Sequence, residues 1–223
     1  MFNNSKRKEE RMHQQLADDS KIISAPIYNF VIGMMLLYGF VMNAVLTASA
    51  GNIVASINPI VFIIIYFVCG IIRSIIVKAS HKPIFSFLGY NLIAVPIGAV
   101  LTLIIPEYPV QQIISAIVIV ACVSAGMMVA SMIFPHVFSK MGPALFFSLL
   151  FAILAEIIAS LLGYRGDLFN WIAVVIFSLY IGYDWNKAQN YPKTIDNAID
   201  SAVDLYLDII NLFIRILDLL DND

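Results

Sequence analysis

Residues 27–72 contain no Asp, Glu, Lys, Arg or His. A spanning helix needs about 20 mostly apolar residues at a rise of about 1.5 Å each, so this stretch can cross a bilayer twice. Further charge-free runs cover residues 83–106, 108–135, 141–155 and 168–183. A membrane barrel would show short segments of alternating polarity instead. Helices remain, because backbone exposed to lipid must satisfy its own hydrogen bonds. Composition agrees: 61% of the chain is hydrophobic and 13% charged. A soluble domain is about half apolar and about a quarter charged, so lipid must solvate part of this chain's apolar surface.

The expected fold is an all-α membrane protein of seven transmembrane helices. The spans fall at residues 26–48, 57–79, 83–105, 110–134, 137–162, 168–186 and 195–217. Turn formers separate them, among them Gly51-Asn52, Pro83, Pro106, Pro109, Pro135, Gly163 and Pro192. Hydropathy alone supports the first six; the seventh is unusually acidic. The domain reading is a cytoplasmic N-terminal tail over 1–25, one transmembrane domain over 26–218 and an acidic end over 219–223. The tail lacks the apolar centre of a signal peptide. Lys6, Arg7, Lys8, Arg11, Lys21, Lys78, Lys82, Lys140, Lys187 and Lys193 all fall on one side of this arrangement. That bias places the N-terminus in the cytoplasm. Arg165 and Arg215 fall on the other side, with Glu107, Asp167, Asp218, Asp221 and Asp223.

Cys69 and Cys122 are read as small core hydrophobes in mid-span, not as a disulfide or zinc framework. Cys122, Gly126 and Ala130 recur every fourth position, a spacing that permits close helix approach. His13, His81 and His136 are scattered and read as interfacial residues. Nothing points to a bound cofactor, to nucleic acid or to an enzyme. The lipid bilayer is the first partner implied.

Charges inside spans are costly and should face the bundle interior. Arg73 lies late in the second span, where it either snorkels to the headgroups or joins an interior ion pair. Asp184 lies near the cytoplasmic end of the sixth, in Gly182-Tyr183-Asp184-Trp185-Asn186. Glu156 lies in the outer half of the fifth, as a protonated, hydrogen-bonded core residue or the lining of an outer vestibule. In the last helix Asp196, Asp200, Asp204 and Asp208 recur at intervals of four, continued by Asn211, Arg215 and Asp218. At about 100° per residue these seven share a sector of roughly 120°. A helix lying in the membrane surface is usually basic, and anionic lipid would repel this acidic face. A buried helix whose polar stripe lines an internal cavity fits better.

The string Tyr180-Ile181-Gly182-Tyr183-Asp184, with Ala202-Val203-Asp204-Leu205-Tyr206-Leu207-Asp208-Ile209-Ile210-Asn211-Leu212-Phe213, resembles the Bax inhibitor-1 family of transmembrane Bax inhibitor motif proteins. Arg73 also matches, and a bacterial member in a bacterial plasma membrane is the closest sense of the likeness. Many members carry a charged cluster after the fourth span, where this chain has Pro135-His136-Val137-Phe138-Ser139-Lys140-Met141. The resemblance implies six helices around a central C-terminal one, and a pH-sensitive calcium leak. It makes Asp184 and Asp208 a hydrogen-bonded pH sensor and Arg73 a latch on that pair. Calcium is then the transported ion, held transiently by Asp184 and Asp208, with Asp204, Asp200, Asn211 and Glu156 as candidates along its path.

The residues allow the same chemistry. Two adjacent carboxyls tend to share one proton, while a nearby guanidinium favours their ionised form. Calcium prefers carboxylate and carbonyl oxygen. Two rivals stand beside this. One is a regulator that binds other membrane proteins in protease, stress or cell-death control. The other is an intramembrane aspartyl protease, which Tyr183-Asp184 half matches. Its second motif is lacking, since Leu205-Tyr206-Leu207 precedes Asp208 and Pro143-Ala144-Leu145 comes before both aspartates rather than after them.

Overall fold

The computed structural model describes residues 22–79, 82–164 and 166–221. The N-terminal tail up to residue 21, His81, Arg165 and Asp223 lie outside the described residues. Among those described, the secondary structure is entirely helical. The helices are α1 (Ala25–Ser49), α2 (Gly51–Ala55), α3 (Pro59–Ala79), α4 (Pro83–Ile104), α5 (Val110–Ile133), α6 (Pro135–Phe138), α7 (Gly142–Leu161), α8 (Leu168–Asn190) and α9 (Ile195–Asp221), with a 3-10 turn over Ile105–Glu107.

Proline and glycine set many of these boundaries. Pro26, Pro59, Pro83, Pro135 and Pro143 stand in the first turn of their helices, where a missing N–H costs no intrahelical bond. At the end of α7, Gly163 takes a φ of 81°, a left-handed conformation that glycine adopts without penalty. The Tyr164 amide then donates to the Ala159 carbonyl at 2.9 Å and the Gly163 amide to Ser160 at 3.0 Å, closing a Schellman cap.

Among the described residues five helical stretches are long and apolar enough to cross a membrane: Ala25–Ser49, Pro83–Glu107, Val110–Ile133, Gly142–Leu161 and Leu168–Asn190. In α3 a shorter apolar run covers Ile60–Ile76. The acidic α9 is not in that apolar set, as its composition requires. Three expected boundaries move, the seventh span's helix ending at Asp221 rather than residue 217. The fifth span starts at Gly142 rather than residue 137, because Pro135–Phe138 forms its own short helix. The sixth does not stop at residue 186 but continues to Asn190. A polar run marks where a helix leaves lipid, and the helix itself need not end there.

The described residues fall into two compact units. The first comprises the described part of Met1–Leu103 and Ala188–Val203. Its core holds Tyr28, Ile32, Tyr90, Ala94, Ala198 and Ala202. A Cβ on Gly98 would sit 2.7 Å from Asn43 Oδ1 and Leu46 Cδ1, so α1 and α4 approach closely there. The Tyr28 hydroxyl donates to the Ala188 carbonyl at 3.1 Å and shares a hydrogen bond with the Ser201 hydroxyl at 3.1 Å. Lys193 lies 4.4 Å over the Tyr28 ring and donates to the carbonyls of Ala188 and Gln189 at the end of α8. Burial lowers the Lys193 pKa.

The second unit comprises Ile104–Lys187 and the described part of Asp204–Asp223. On α5 the side chains turned inward are Ala116, Val120, Ser124 and Ser131. This corrects the small-residue expectation: Cys122 is exposed and a Cβ on Gly126 would meet nothing within 4 Å. The repeat at 116, 120 and 124 occupies the opposite side of the same helix. Close approach occurs instead at Gly142 against Tyr183 and at Gly182 against Phe138.

Candidate functional site

The second unit holds Asp184 and Lys187 of α8 together with Asp204, Asp208, Arg215 and Asp218 of α9. Asp184 lies on α8, well before the helix ends at Asn190, and is 9% exposed. Asp208 lies on α9 and is 7% exposed. Two contacts fix the turn of α8 that carries Asp184. The Phe138 ring packs where Gly182 has no side chain, and Tyr183 packs where Gly142 has none. A Cβ at either glycine would force the Tyr183 or Phe138 side chain to shift.

Asp184 and Asp208 share a side-chain hydrogen bond. Carboxylates only accept, so the bond requires that one of the two carry a proton. Asp208 Oδ2 is buried with no hydrogen-bond partner. Asp184 and Asp208, singled out from the sequence on the last two helices, thus lie side by side.

Lys187 joins this pair to a third acid. Its ammonium donates to Asp204 Oδ2 at 2.7 Å and to Asp184 Oδ1 at 3.3 Å. The sequence reading placed Lys187 only among the positive residues of one membrane side. Its spacing of three from Asp184 was the available signal, since residues i and i+3 share a helix face. Asp204 is thus half-buried and ion-paired.

A second cluster lies about two turns further along α9, about 10 Å by helix rise. Arg215 meets Glu156 of α7 through two parallel hydrogen bonds, Nη1 to Oε1 at 2.7 Å and Nη2 to Oε2 at 2.9 Å. Arg215 Nη1 also donates to Asn170 Oδ1 of α8 at 2.8 Å. Glu156 is thus a partly exposed, ion-paired acid that ties α7 to α9, a role that neither sequence reading gave it. Planar guanidinium and carboxylate favour such a fork. Beyond it, Tyr108 donates to Asp218 at 2.6 Å and Gln112 Nε2 to the Leu220 carbonyl at 2.9 Å. Burial, then the hydrogen bond to Asp218, raises the Tyr108 pKa well above its ordinary value.

The remaining candidates are a residue bonded within its own helix and residues of the first unit. Asn211 donates to the Leu207 carbonyl of its own helix at 2.8 Å. Asp200 is buried in the first unit, as is Asp196, which accepts from Ser86. Arg73 belongs to α3 of the first unit, with its Nε buried and without a hydrogen-bond partner. Among the described residues no three His, Cys, Asp or Glu side chains converge to hold a metal ion.

The molecule is of the class of multi-pass helical membrane proteins, with an acidic cluster on a buried helix. Residues 23–223 match the family described as inhibitor of apoptosis-promoting Bax1, and the chain belongs to this Bax inhibitor-1 family. The chain is also similar to several individual proteins. A Helicobacter pylori (strain J99) protein is 26% identical over 217 residues, covering 92% of this chain and 91% of its own length. Protein LIFEGUARD 1 of Arabidopsis thaliana is 38% identical over 93 residues, covering 39% of this chain and 38% of its own. A Campylobacter jejuni protein is 35% identical over 101 residues, covering 43% of this chain and 42% of its own.

Proposed function

We propose that this protein is a pH-sensitive calcium leak channel gated by the Asp184–Asp208 carboxyl pair, with Arg73 as a latch. The observation that carries the proposal is the buried, hydrogen-bonded pair itself. A proton shared between two carboxyls is gained or lost as pH changes, and the charge facing a nearby cation changes with it. In the latch that the family resemblance implies, ionised acid holds the Arg73 guanidinium, and protonated acid releases it, frees α3 and opens a path for calcium. A leak needs only weak, transient oxygen coordination. Two carboxylates supply that without a resident metal cage.

The proposed topology has seven spans over residues 26–218, with α9 as the seventh and the N-terminus in the cytoplasm. The host membrane is a bacterial plasma membrane. A reporter fused after α9 that reads cytoplasmic would remove the seventh crossing.

The test of the channel is calcium-dye flux into liposomes holding the purified protein. Flux rises as pH falls through the neutral range. Asp208→Asn and Asp184→Asn each abolish the pH dependence. No flux, or an unchanged pH profile in both variants, rejects the reading.

The family description favours a second reading, since it speaks of inhibiting an apoptosis-promoting protein. In that reading the chain binds other membrane proteins, and conduction is secondary or absent. A partner captured by crosslinking equally well with the double aspartate variant, which retains its cellular effect, would favour it. Paired aspartates on consecutive helices also keep the aspartyl-protease rival testable, by cleavage of a transmembrane substrate that a transition-state analogue blocks.

A further inference from the structure

We infer that Lys187 is a resident counter-cation of the acidic cluster, and that its ammonium must leave before a divalent cation can occupy the carboxylates. The inference rests on the proposed cation path through Asp184 and Asp208, and it assigns a specificity-determining role to a residue of that site.

The geometry is that of a tethered ion. The ammonium reaches Asp204 of α9 at 2.7 Å and Asp184 of its own helix at 3.3 Å. A lysine head is a compact point charge that accepts oxygen neighbours from several directions. Carboxylate oxygens are also the neighbours a divalent cation prefers. Asp208 Oδ2 adds an independent sign of a ligand position, because it is buried, lacks any hydrogen-bond partner and belongs to the acid hydrogen-bonded to Asp184.

Charge balance points the same way. Three carboxylates with one shared proton leave two negative charges. One ammonium neutralises half of that, whereas a divalent cation would neutralise all of it. As the side chains stand, no three acids converge on a metal-sized point among the described residues. A divalent ion therefore needs the acids to close on the space the ammonium holds. The Lys187 side chain is 28% exposed and hangs on a flexible four-carbon stem, so its ammonium can exchange these oxygens for solvent.

A merely structural salt bridge would behave differently. Removing it would lower stability and leave calcium affinity alone. Removing a competing cation raises calcium affinity, and restoring the charge reverses the gain.

The test is thermal unfolding of the purified full-length protein in detergent at neutral pH, titrated with calcium chloride. Ligand that binds only the folded state raises Tm with concentration. Lys187→Met is expected to bring the calcium midpoint down at least tenfold relative to the unsubstituted protein. Lys187→Arg is expected to stay within about twofold of it, and Lys187→Met/Asp204→Asn to lose the gain. Lys187→Gln, which removes the charge but keeps a polar head, replaces the methionine variant if that one does not fold. A calcium midpoint within twofold of the unsubstituted protein in the neutral variants overturns the inference.

Liposome flux on the same proteins separates this inference from the channel reading. If calcium affinity rises but no protein conducts, the channel reading fails and the role of Lys187 stands. If the unsubstituted protein conducts with pH dependence while Lys187→Met changes neither affinity nor flux, the reverse holds. Success of both predicts a several-fold higher flux at neutral pH for Lys187→Met.

Discussion

Helices α7 and α9 are built on opposite rules. α7 has one acid, Glu156, among apolar residues, and Leu145 is its one buried side chain. α9 carries acids, an amide and an arginine along one face, yet no side chain from Asp196 to Leu220 is exposed. In water the apolar helix would be the buried one. Here α7 turns Phe146, Phe147, Phe151, Ile157 and Ile158 outward. A hydrocarbon solvent accepts those side chains at no cost, and it rejects charge. Polar residues are therefore what must be enclosed, and enclosed polar residues need partners. Asp204, Asp208, Arg215 and Asp218 each have one from the second unit.

The largest effect should come from making α7 obey the rule of α9. Phe151 is 65% exposed. Phe151→Asp puts a charge on the face assigned to lipid and should cost about 3 kcal/mol of insertion free energy. The readout is the membrane-integrated fraction of expressed protein, compared with Phe151→Leu. Equal integration of both variants would mean that this face does not meet lipid. The next effect comes from packing. Leu212 of α9 is fully buried, while Leu154 of α7 is exposed. Leu212→Ala should destabilise by about 2 kcal/mol or more through the cavity it leaves. Leu154→Ala should stay within about 0.5 kcal/mol. Thermal melts in detergent give both values, and similar losses would erase the contrast between the helices.

These helices differ in how far they can be read from sequence. The charge-free runs mark α1, α4, α5, α7 and α8 because lipid imposes a length and forbids charge. Prolines then mark many of the helix starts. The acidic stripe on α9 was legible as a face, because Asp204, Asp208 and Arg215 keep helical spacing. The pairing of Asp184 with Asp208 also follows from the resemblance of their two strings to one family. The contacts across helices were not legible. Glu156 and Arg215 are far apart in the chain, and nothing in either local string names the other. Lys187 was missed for another reason. Sorting charges by membrane side treats a lysine near a helix end as a topology marker, and so hides its spacing from Asp184. Cys122, Gly126 and Ala130 show the converse error: small residues at a packing interval can lie on an outward face.

A smaller effect tests the tie between the two helices. Glu156→Gln removes the charge from α7 but keeps its shape, leaving Arg215 with Asn170 as its remaining partner in that cluster. Both side chains of the pair are partly exposed, so the loss should be about 1 kcal/mol, read as a lower Tm. Arg215→Lys should lose a similar amount, since an ammonium cannot form the two parallel bonds. The double variant should cost little more than either single one if the two residues act through each other. Fully additive losses would show that Glu156 and Arg215 contribute separately.

The smallest effect concerns the far end of α9, where Tyr108 holds Asp218. The phenol lies outside the apolar spans, and burial followed by its bond to Asp218 keeps its pKa above the ordinary value. The folded state thus favours the protonated phenol. Its contribution to stability is complete below the unfolded pKa of about 10 and declines as pH rises from there toward the folded value. Tyr108→Phe removes the hydrogen bond, and should cost about 1 kcal/mol at neutral pH. Above about pH 10 the variant has no phenol to ionise, so the difference in Tm between the two proteins should narrow as pH rises. Lysines titrate in the same range but are common to both proteins, so the difference isolates the phenol. A constant difference across that range would show that Tyr108 supports α9 by packing alone, and that the hydrogen bond to Asp218 contributes nothing to holding the buried helix.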